Sequence, residues 1–305
     1  MKVKIIDTKG VEKGSKELPS QFNEAYRADL IKRAVLTIQA NTRQPYGSDP
    51  RAGKKHSAYV SKRRSAFRTT YGIGQSRTPR KALSVRGTRF NWVGAFVPQT
   101  VGGRRAHAPK AEKIWSQKMN KKERRKAIRS ALSASMNLEI VKQKNACVPT
   151  NYPFILAKDF EKIDKTKELR NVLETIGFKD ELKRSLVKTV RASIGKLRGR
   201  KNKKKKSLLF VVSGKCGLLQ GVSNLPGIDI VDVTKLNTEL LAPGTHAGRM
   251  VLFTESAIDA IAKDKLFTIE PVKKEAKVKK EKKIKITKKD QKKKVAKVEV
   301  AKKWW

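Results

Sequence analysis

Three parts of the chain carry residue types able to do chemistry. The run Val211-Val212-Ser213-Gly214-Lys215-Cys216 leads a strand-like segment into Gly-Lys, as in loops that cradle phosphates with backbone N–H groups and a lysine. Such a loop needs a glycine five residues before its second Gly and a Ser or Thr after the Lys for magnesium. Leu209 and Cys216 stand in those places, so a plain strand-to-helix turn is the better reading. Gly72-Ile73-Gly74-Gln75-Ser76-Arg77 opens like a dinucleotide-binding turn, but it lacks the third glycine and follows no hydrophobic strand. His56, His107 and His246 lie far apart, and Cys147 and Cys216 form no Cys-x-x-Cys pair. Neither a catalytic triad nor a zinc site is indicated. We expect no catalytic residue, no metal and no cofactor, and the chain reads as a non-enzyme. The two cysteines fit reduced thiols of a cytosolic protein, although sequence leaves their pairing open.

What the sequence does offer is guanidinium chemistry. Arginine makes planar, bidentate contacts to phosphate and stacks on bases, which lysine does not reproduce. Residues 43–110 hold 16 Lys or Arg against one acid, Asp49, with eight Gly and five Pro. The candidate phosphate-contacting residues there are Arg43, Arg51, Lys54, Lys55, Arg63, Arg64, Arg68, Arg77, Arg80, Lys81, Arg86, Arg89, Arg104, Arg105 and Lys110. Seven aromatics are interleaved among them, of which Tyr71, Phe90 and Trp92 are the best placed to pack on bases or sugars. The arginines run along the whole stretch instead of gathering on one helical face, which predicts an extended segment meeting phosphates along its length. A solvated basic linker would seldom carry so many aromatics. No apolar face can be drawn through the stretch, so it is expected to take its shape from a polyanion.

The whole-chain balance agrees. With 73 Lys plus Arg against 27 Asp plus Glu, the formal charge is +46 over 305 residues. A compact state with that imbalance repels itself unless a polyanion neutralises it. Nucleic acid is the first candidate and an anionic membrane surface the second. Membrane attachment would call for a signal sequence, a lipidation motif or about 18 consecutive apolar residues, and the start Met1-Lys2-Val3-Lys4-Ile5-Ile6-Asp7 suggests none.

The elements that must carry this stretch are more ordinary. Val3 to Ile6 reads as a short strand, and Leu30, Ile31, Ala34, Val35 and Ile38 form one helical face with Asn23 as N-cap. A second helix is predicted from Asn120 to Met136, with Ile128, Ala131, Leu132 and Met136 on its apolar stripe. Lys121, Lys122, Arg124, Arg125 and Lys126 crowd its first turns, where the helix dipole disfavours cations, so a phosphate outside the protein is the expected partner. Residues 152–262 alternate apolar runs with helical patterns. Runs at 154–157, 208–212, 228–231 and 250–253 read as strands, helices are predicted at 166–176, 180–193, 234–241 and 256–262, and 217–222 is a short segment between them. This predicts an α/β fold: a parallel sheet covered on both faces, in three layers, with a long extended loop insertion. The predicted parts are a globular domain of residues 1–42 plus 111–270, an extended loop of 43–110 and a lysine-rich tail of 271–305. The tail has 16 Lys against four acids, a composition expected to be disordered in isolation.

Several stretches resemble the archaeal type of the large-subunit ribosomal protein "L four" family. The first is Asn41-Thr42-Arg43-Gln44-Pro45-Tyr46-Gly47-Ser48-Asp49-Pro50-Arg51-Ala52-Gly53, similar to the start of that family's loop. Gly94-Ala95-Phe96-Val97-Pro98-Gln99-Thr100-Val101-Gly102-Gly103-Arg104-Arg105-Ala106-His107 resembles its end. Lys113-Ile114-Trp115, Met119 to Arg125 and Leu241-Ala242-Pro243-Gly244 also fit. The resemblance covers about residues 1–270. It implies a structural, ribosome-bound cytoplasmic protein that binds large-subunit ribosomal RNA, supports subunit assembly and lines the nascent-peptide exit tunnel. Its implied neighbours are the "L twenty-two" protein at the tunnel constriction and the nascent peptide, with no membrane. Carried onto this chain, the loop tip falls near Arg68 to Arg80, with Tyr71, Gly72, Ile73, Gly74 and Gln75 facing the tunnel. Two departures stand out. Ala108 replaces the proline that usually follows Arg-Ala-His, and the tail exceeds the compact archaeal pattern. Two rival readings remain on sequence grounds: a free RNA chaperone using the same basic surface, and a nucleotide-binding α/β enzyme.

Overall fold

A computed structural model describes residues 1–66, 68–145 and 147–268. The lysine-rich tail, predicted to be disordered, lies outside the described residues. The elements run β1 (Lys2–Ile6), β2 (Glu12–Glu17), α1 (Ala28–Thr42), β3 (Arg80–Arg86), β4 (Arg89–Gly94), α2 (Lys121–Met136), α3 (Leu138–Lys144), β5 (Phe154–Leu156), α4 (Thr166–Ile176), α5 (Lys179–Leu186), β6 (Lys188–Val190), β7 (Asn202–Lys204), β8 (Leu209–Val212), α6 (Leu218–Ser223), β9 (Asp229–Asp232), α7 (Thr238–Leu241), β10 (Val251–Thr254) and α8 (Glu255–Lys263). The described residues form two compact units: Met1–Val35 with residues 119–268, and Leu36–Lys118.

The first unit is built on a six-stranded sheet of order β2-β1-β5-β10-β8-β9. Every neighbouring pair is parallel except β1 with β2. Strands buried on both faces read as continuous apolar runs, and β5, β8 and β10 are buried at every position. Because successive side chains point to opposite faces, each strand feeds two cores. Val3, Ile155, Leu209, Val211, Val251 and Phe253 meet Ile31 and Val35 of α1, Ile128 and Leu132 of α2, and Ile258 and Ile261 of α8. Ile6, Phe154, Leu156, Phe210, Val212 and Leu252 meet Leu169 and Leu173 of α4, Leu182 of α5, and Leu218 and Val222 of α6. Burying one such side chain contributes roughly 1.5–3 kcal/mol, so the two cores hold the sheet between two helical layers.

Several boundaries differ from the sequence reading. Asn23 does not cap α1. It closes a 3-10 turn at Ser20–Phe22, and α1 begins at Ala28. The N–H of Arg27, just before the helix, instead donates to Ser130 Oγ on α2 at 2.7 Å, a cap from distant sequence that local spacing does not reveal. The helix predicted over 180–193 stops at Leu186, because the β-branched run that follows pairs as β6 with β7. The 217–222 segment is the helix α6, and the 234–241 helix divides into a 3-10 turn at Val233–Lys235 and the short α7. The charged strand β2 is not legible in the sequence, since an exposed edge strand shows no apolar alternation.

Buried polar groups pin the layers. The Tyr152 hydroxyl donates to the Ser135 carbonyl at 2.5 Å and accepts from the Val251 N–H at 3.2 Å, joining α2 to β10. Burial pushes this phenol's pKa above its ordinary value, so it stays a donor. Replacing Tyr152 by Phe leaves both backbone groups unpaired and should lower stability by about 1–3 kcal/mol in chemical denaturation. A loss of a few tenths would contradict this accounting. Lys144 donates to the His246 carbonyl, and burial, then the charge of Arg249, push its amine down to about 8. The folded chain therefore releases this proton at lower pH than the unfolded chain. Stability should rise between about pH 8 and the ordinary lysine pKa of 10.5. Denaturation at stepped pH should show that this rise is lost in Lys144→Met.

Candidate nucleic-acid interface

The unit Leu36–Lys118 contains most of the residues singled out for phosphate contact. It is not uniformly extended, contrary to the sequence reading. β3 and β4 pair antiparallel from Arg80↔Gly94 to Arg86↔Arg89, with a register shift between Ala82 and Ser84. The connecting turn is Gly87-Thr88, and Gly87 has φ +56° where a two-residue hairpin loop requires positive φ. Along β4 exposure alternates, with Phe90 and Trp92 on the more covered face. The hairpin extends through an isolated bridge between Tyr59 and Arg80, and Ser61 accepts from the Thr70 N–H at 3.1 Å.

The two legs leading into and out of this unit lie against each other. The Ser48 N–H donates to the Pro109 carbonyl at 3.0 Å. Gly53, at φ +73°, lies so near the other leg that an added Cβ would stand 2.4 Å from the Arg104 Cα. An aromatic stack reinforces the approach: Tyr46 and Trp115 lie 5.6 Å apart at 19°, with the Arg43 guanidinium 3.8 Å from the Trp115 ring centre and Lys113 at 4.4 Å. The stack brings Arg43 into a defined position. Sequence spacing does not reveal Tyr46, Lys113 and Trp115 as site residues, because nothing local links residue 46 to residue 115.

The three aromatics chosen for base packing already carry arginine partners. Arg77 and Arg64 lie 4.6 and 5.8 Å from the Tyr71 ring, Arg68 lies 4.6 Å from Phe90 and Arg80 lies 5.5 Å from Trp92. Phe90 and Trp92 are 5.9 Å apart. Arg80 is nearly buried and donates to Ser76 Oγ and the Thr78 carbonyl, so it acts within the unit. Arg51, Lys54, Lys55, Arg63, Arg64, Arg77, Arg86, Arg89, Arg105 and Lys110 are exposed, whereas Lys81 and Arg104 are half-buried. Tyr71 is half-buried at one end of the exposed bend Gly72, Ile73, Gly74 and Gln75, with Gly72 and Gly74 at positive φ.

The single acid of residues 43–110 is already engaged. Asp49 pairs with Lys55 at 2.9 Å and accepts from the Arg51 N–H at 2.9 Å, and these contacts, Lys55 first, hold its carboxyl below the ordinary range. Helix α2 of the other unit divides its charge differently. Arg129 is buried against Glu24 at 2.8 Å and donates to the Phe267 carbonyl, Lys126 lies 3.7 Å from Glu24, and Arg125 donates to the Thr268 carbonyl. These residues serve the domain itself, while Lys121, Lys122 and Arg124 stay exposed in the first turns. The Gly-Lys segment at 214–215 is a turn between β8 and α6. Among the described residues, no cluster of His, Cys, Asp or Glu suits a metal, and no helix is long and apolar enough to cross a membrane.

One unit built on a covered, mainly parallel sheet and a second rich in cations and nearly devoid of carboxylates define the class: an α/β protein with a strongly cationic insertion. The chain belongs to the ribosomal protein L4/L1 family, whose sequence model matches residues 16–264. It is similar to the large ribosomal subunit protein uL4 of Nanoarchaeum equitans strain Kin4-M, with 45% identity over 268 residues covering 88% of this chain and 100% of that protein. The protein of the same name from Methanococcus aeolicus is 43% identical over 86% of this chain and 99% of its own length. That from Archaeoglobus fulgidus is 42% identical over 85% and 97%. The family is one of structural ribosomal proteins, not enzymes.

The approach of the legs at Gly53 gives a test. Gly53→Ala should loosen them and raise the rate of limited proteolysis within residues 43–118 several-fold. Gly102→Ala, at φ +70° but with open space around the position, should change it little. Equal effects would mean that backbone strain, not the close approach, explains the result.

Proposed function

We propose that this chain is a structural constituent of the large ribosomal subunit that binds ribosomal RNA, supports subunit assembly and lines the nascent-peptide exit tunnel. Residues 43–110 act as the RNA-threading insertion, and Tyr71, Gly72, Ile73, Gly74 and Gln75 form the tunnel-facing tip. Neighbouring subunit proteins, "L twenty-two" among them at the constriction, and the passing peptide complete the set of partners. The observation that carries the reading is the charge balance of the insertion, where one carboxylate, already paired, faces 16 cations. RNA phosphates supply the missing anions, and the released counterions make binding favourable at low salt. The exposed Lys121, Lys122 and Arg124 at the start of α2 extend the same surface chemistry to the domain. In the cell the chain is ribosome-bound in the cytoplasm.

Deletion of residues 60–95 tests the role. Such a chain should join large subunits poorly, or leave a widened tunnel in a density map of the subunit, and normal incorporation with an unaltered tunnel would refute the proposal. Binding to large-subunit RNA should also weaken steeply with salt. Each exposed insertion arginine changed to Gln should reduce the slope of log affinity against log salt by roughly 0.7–0.9. A flat salt response would remove the electrostatic basis. A high-salt wash separates this reading from a free RNA chaperone, since a subunit component stays with the particle.

A further inference from the structure

We infer that the hairpin formed by β6 and β7 is a second RNA-docking arm, carried on the sheet domain by residues separate from the insertion. Residues 188–205 contain nine cations and no Asp or Glu. All six strand residues are exposed, and Lys188 stands directly opposite Lys204. Like charges facing each other across a strand pair are destabilising, and a lone two-stranded hairpin is marginal in water. Among the described residues no carboxylate pairs with any of the nine, so the neutralising anion must come from outside. Val190, Ile194 and Leu197 are 58%, 62% and 83% exposed among these charges, giving the arm apolar surface to set against sugars and bases. Protein interfaces are depleted in lysine, whereas nucleic-acid interfaces are strongly positive. RNA is therefore the occupant that the composition fits.

The root of the arm is clamped. Glu181, fully buried, accepts from Arg184 Nε at 2.7 Å and from Ser207 Oγ at 2.7 Å. Arg184 also reaches the Lys206 carbonyl at 3.2 Å, Lys206 pairs with Asp229 at 2.8 Å, and Asp229 pairs with buried Arg249 at 2.6 Å. The residues just before β6 and just after β7 are thereby tied to one charge network. At the far end, Arg198 and Arg200 both donate backbone N–H groups to the Gly195 carbonyl, which folds the connection into a compact head. A patch that merely solubilised the chain would need no such anchorage, whereas an arm that meets a fixed array of phosphates gains from being positioned beforehand.

The inference rests on the ribosomal RNA reading above, but its test involves different residues. The full chain is bound to large-subunit ribosomal RNA, and lysine acetylation is read at Lys196, Lys201, Lys203 and Lys204. RNA should lower modification there several-fold, both in the native chain and in the chain lacking residues 60–95. In the variant R198Q/R200Q/K203Q/K204Q, whose altered side chains are all exposed, the salt slope should fall by about 3. Lysines as reactive with RNA as without it, or shielded only after other ribosomal proteins are added, would overturn the inference. So would an unchanged slope in the quadruple variant. Shielding of the arm with no salt-dependent contribution from the insertion would instead sink the proposal for residues 43–110 and leave this one standing.

Discussion

The constraint on which the rest depends is uncompensated positive charge. Several carboxylates of the sheet domain are engaged by its own cations. Glu24 takes Arg129, Glu181 takes Arg184, and Asp229 takes both Lys206 and Arg249. The pairs made by buried Glu181 and Arg249 add little net stability, but removing one partner strands a charge in a dry setting, so they fix geometry. Residues 43–110 have no such resource beyond Asp49. Screening at physiological salt acts over about 8 Å, a range within which neighbouring guanidinium groups still repel.

Order in the insertion is accordingly of a kind that does not need anions. Its legs approach through backbone at Gly53, several of its arginines rest on aromatic faces, and the β3–β4 hairpin is held by ladder hydrogen bonds. A guanidinium over a ring contributes about 0.5–1 kcal/mol at exposed sites, enough to choose a conformation but not to offset the repulsion of the whole. The aromatics thus have work within the free chain before any base reaches them. That refines the view of Tyr71, Phe90 and Trp92 as simple stacking platforms.

The sheet was the most legible part of the fold. Continuous runs such as Leu208 to Val212 announce strands buried on both faces, and the heptad-like spacing of Leu169, Leu173 and Ile176 announces α4. What escaped were features decided by partners distant in sequence: β2, which pairs at an edge, the Ser130 cap on Arg27, and the stop of α5. The β3–β4 hairpin did leave a trace. Leu83 and Val85, then Phe90 and Trp92, alternate around Gly87-Thr88, but the arginines between them drew the reading toward an extended segment. The cation-rich character of the candidate interface is plain from composition alone. Which cations turn inward is not, because Arg80 and Arg129 look like their exposed neighbours until the acceptors around them are in place.

The charged strand β2 bears on the time between synthesis and assembly. It closes one side of the sheet with Glu12, Lys13, Lys16 and Glu17, nearly all open to water. Lysines and acids on a border strand discourage another chain from adding itself to the ladder. A newly made copy that has not yet met its nucleic acid is therefore guarded against templated self-stacking on that side, and this keeps a pool of unassembled subunit protein usable.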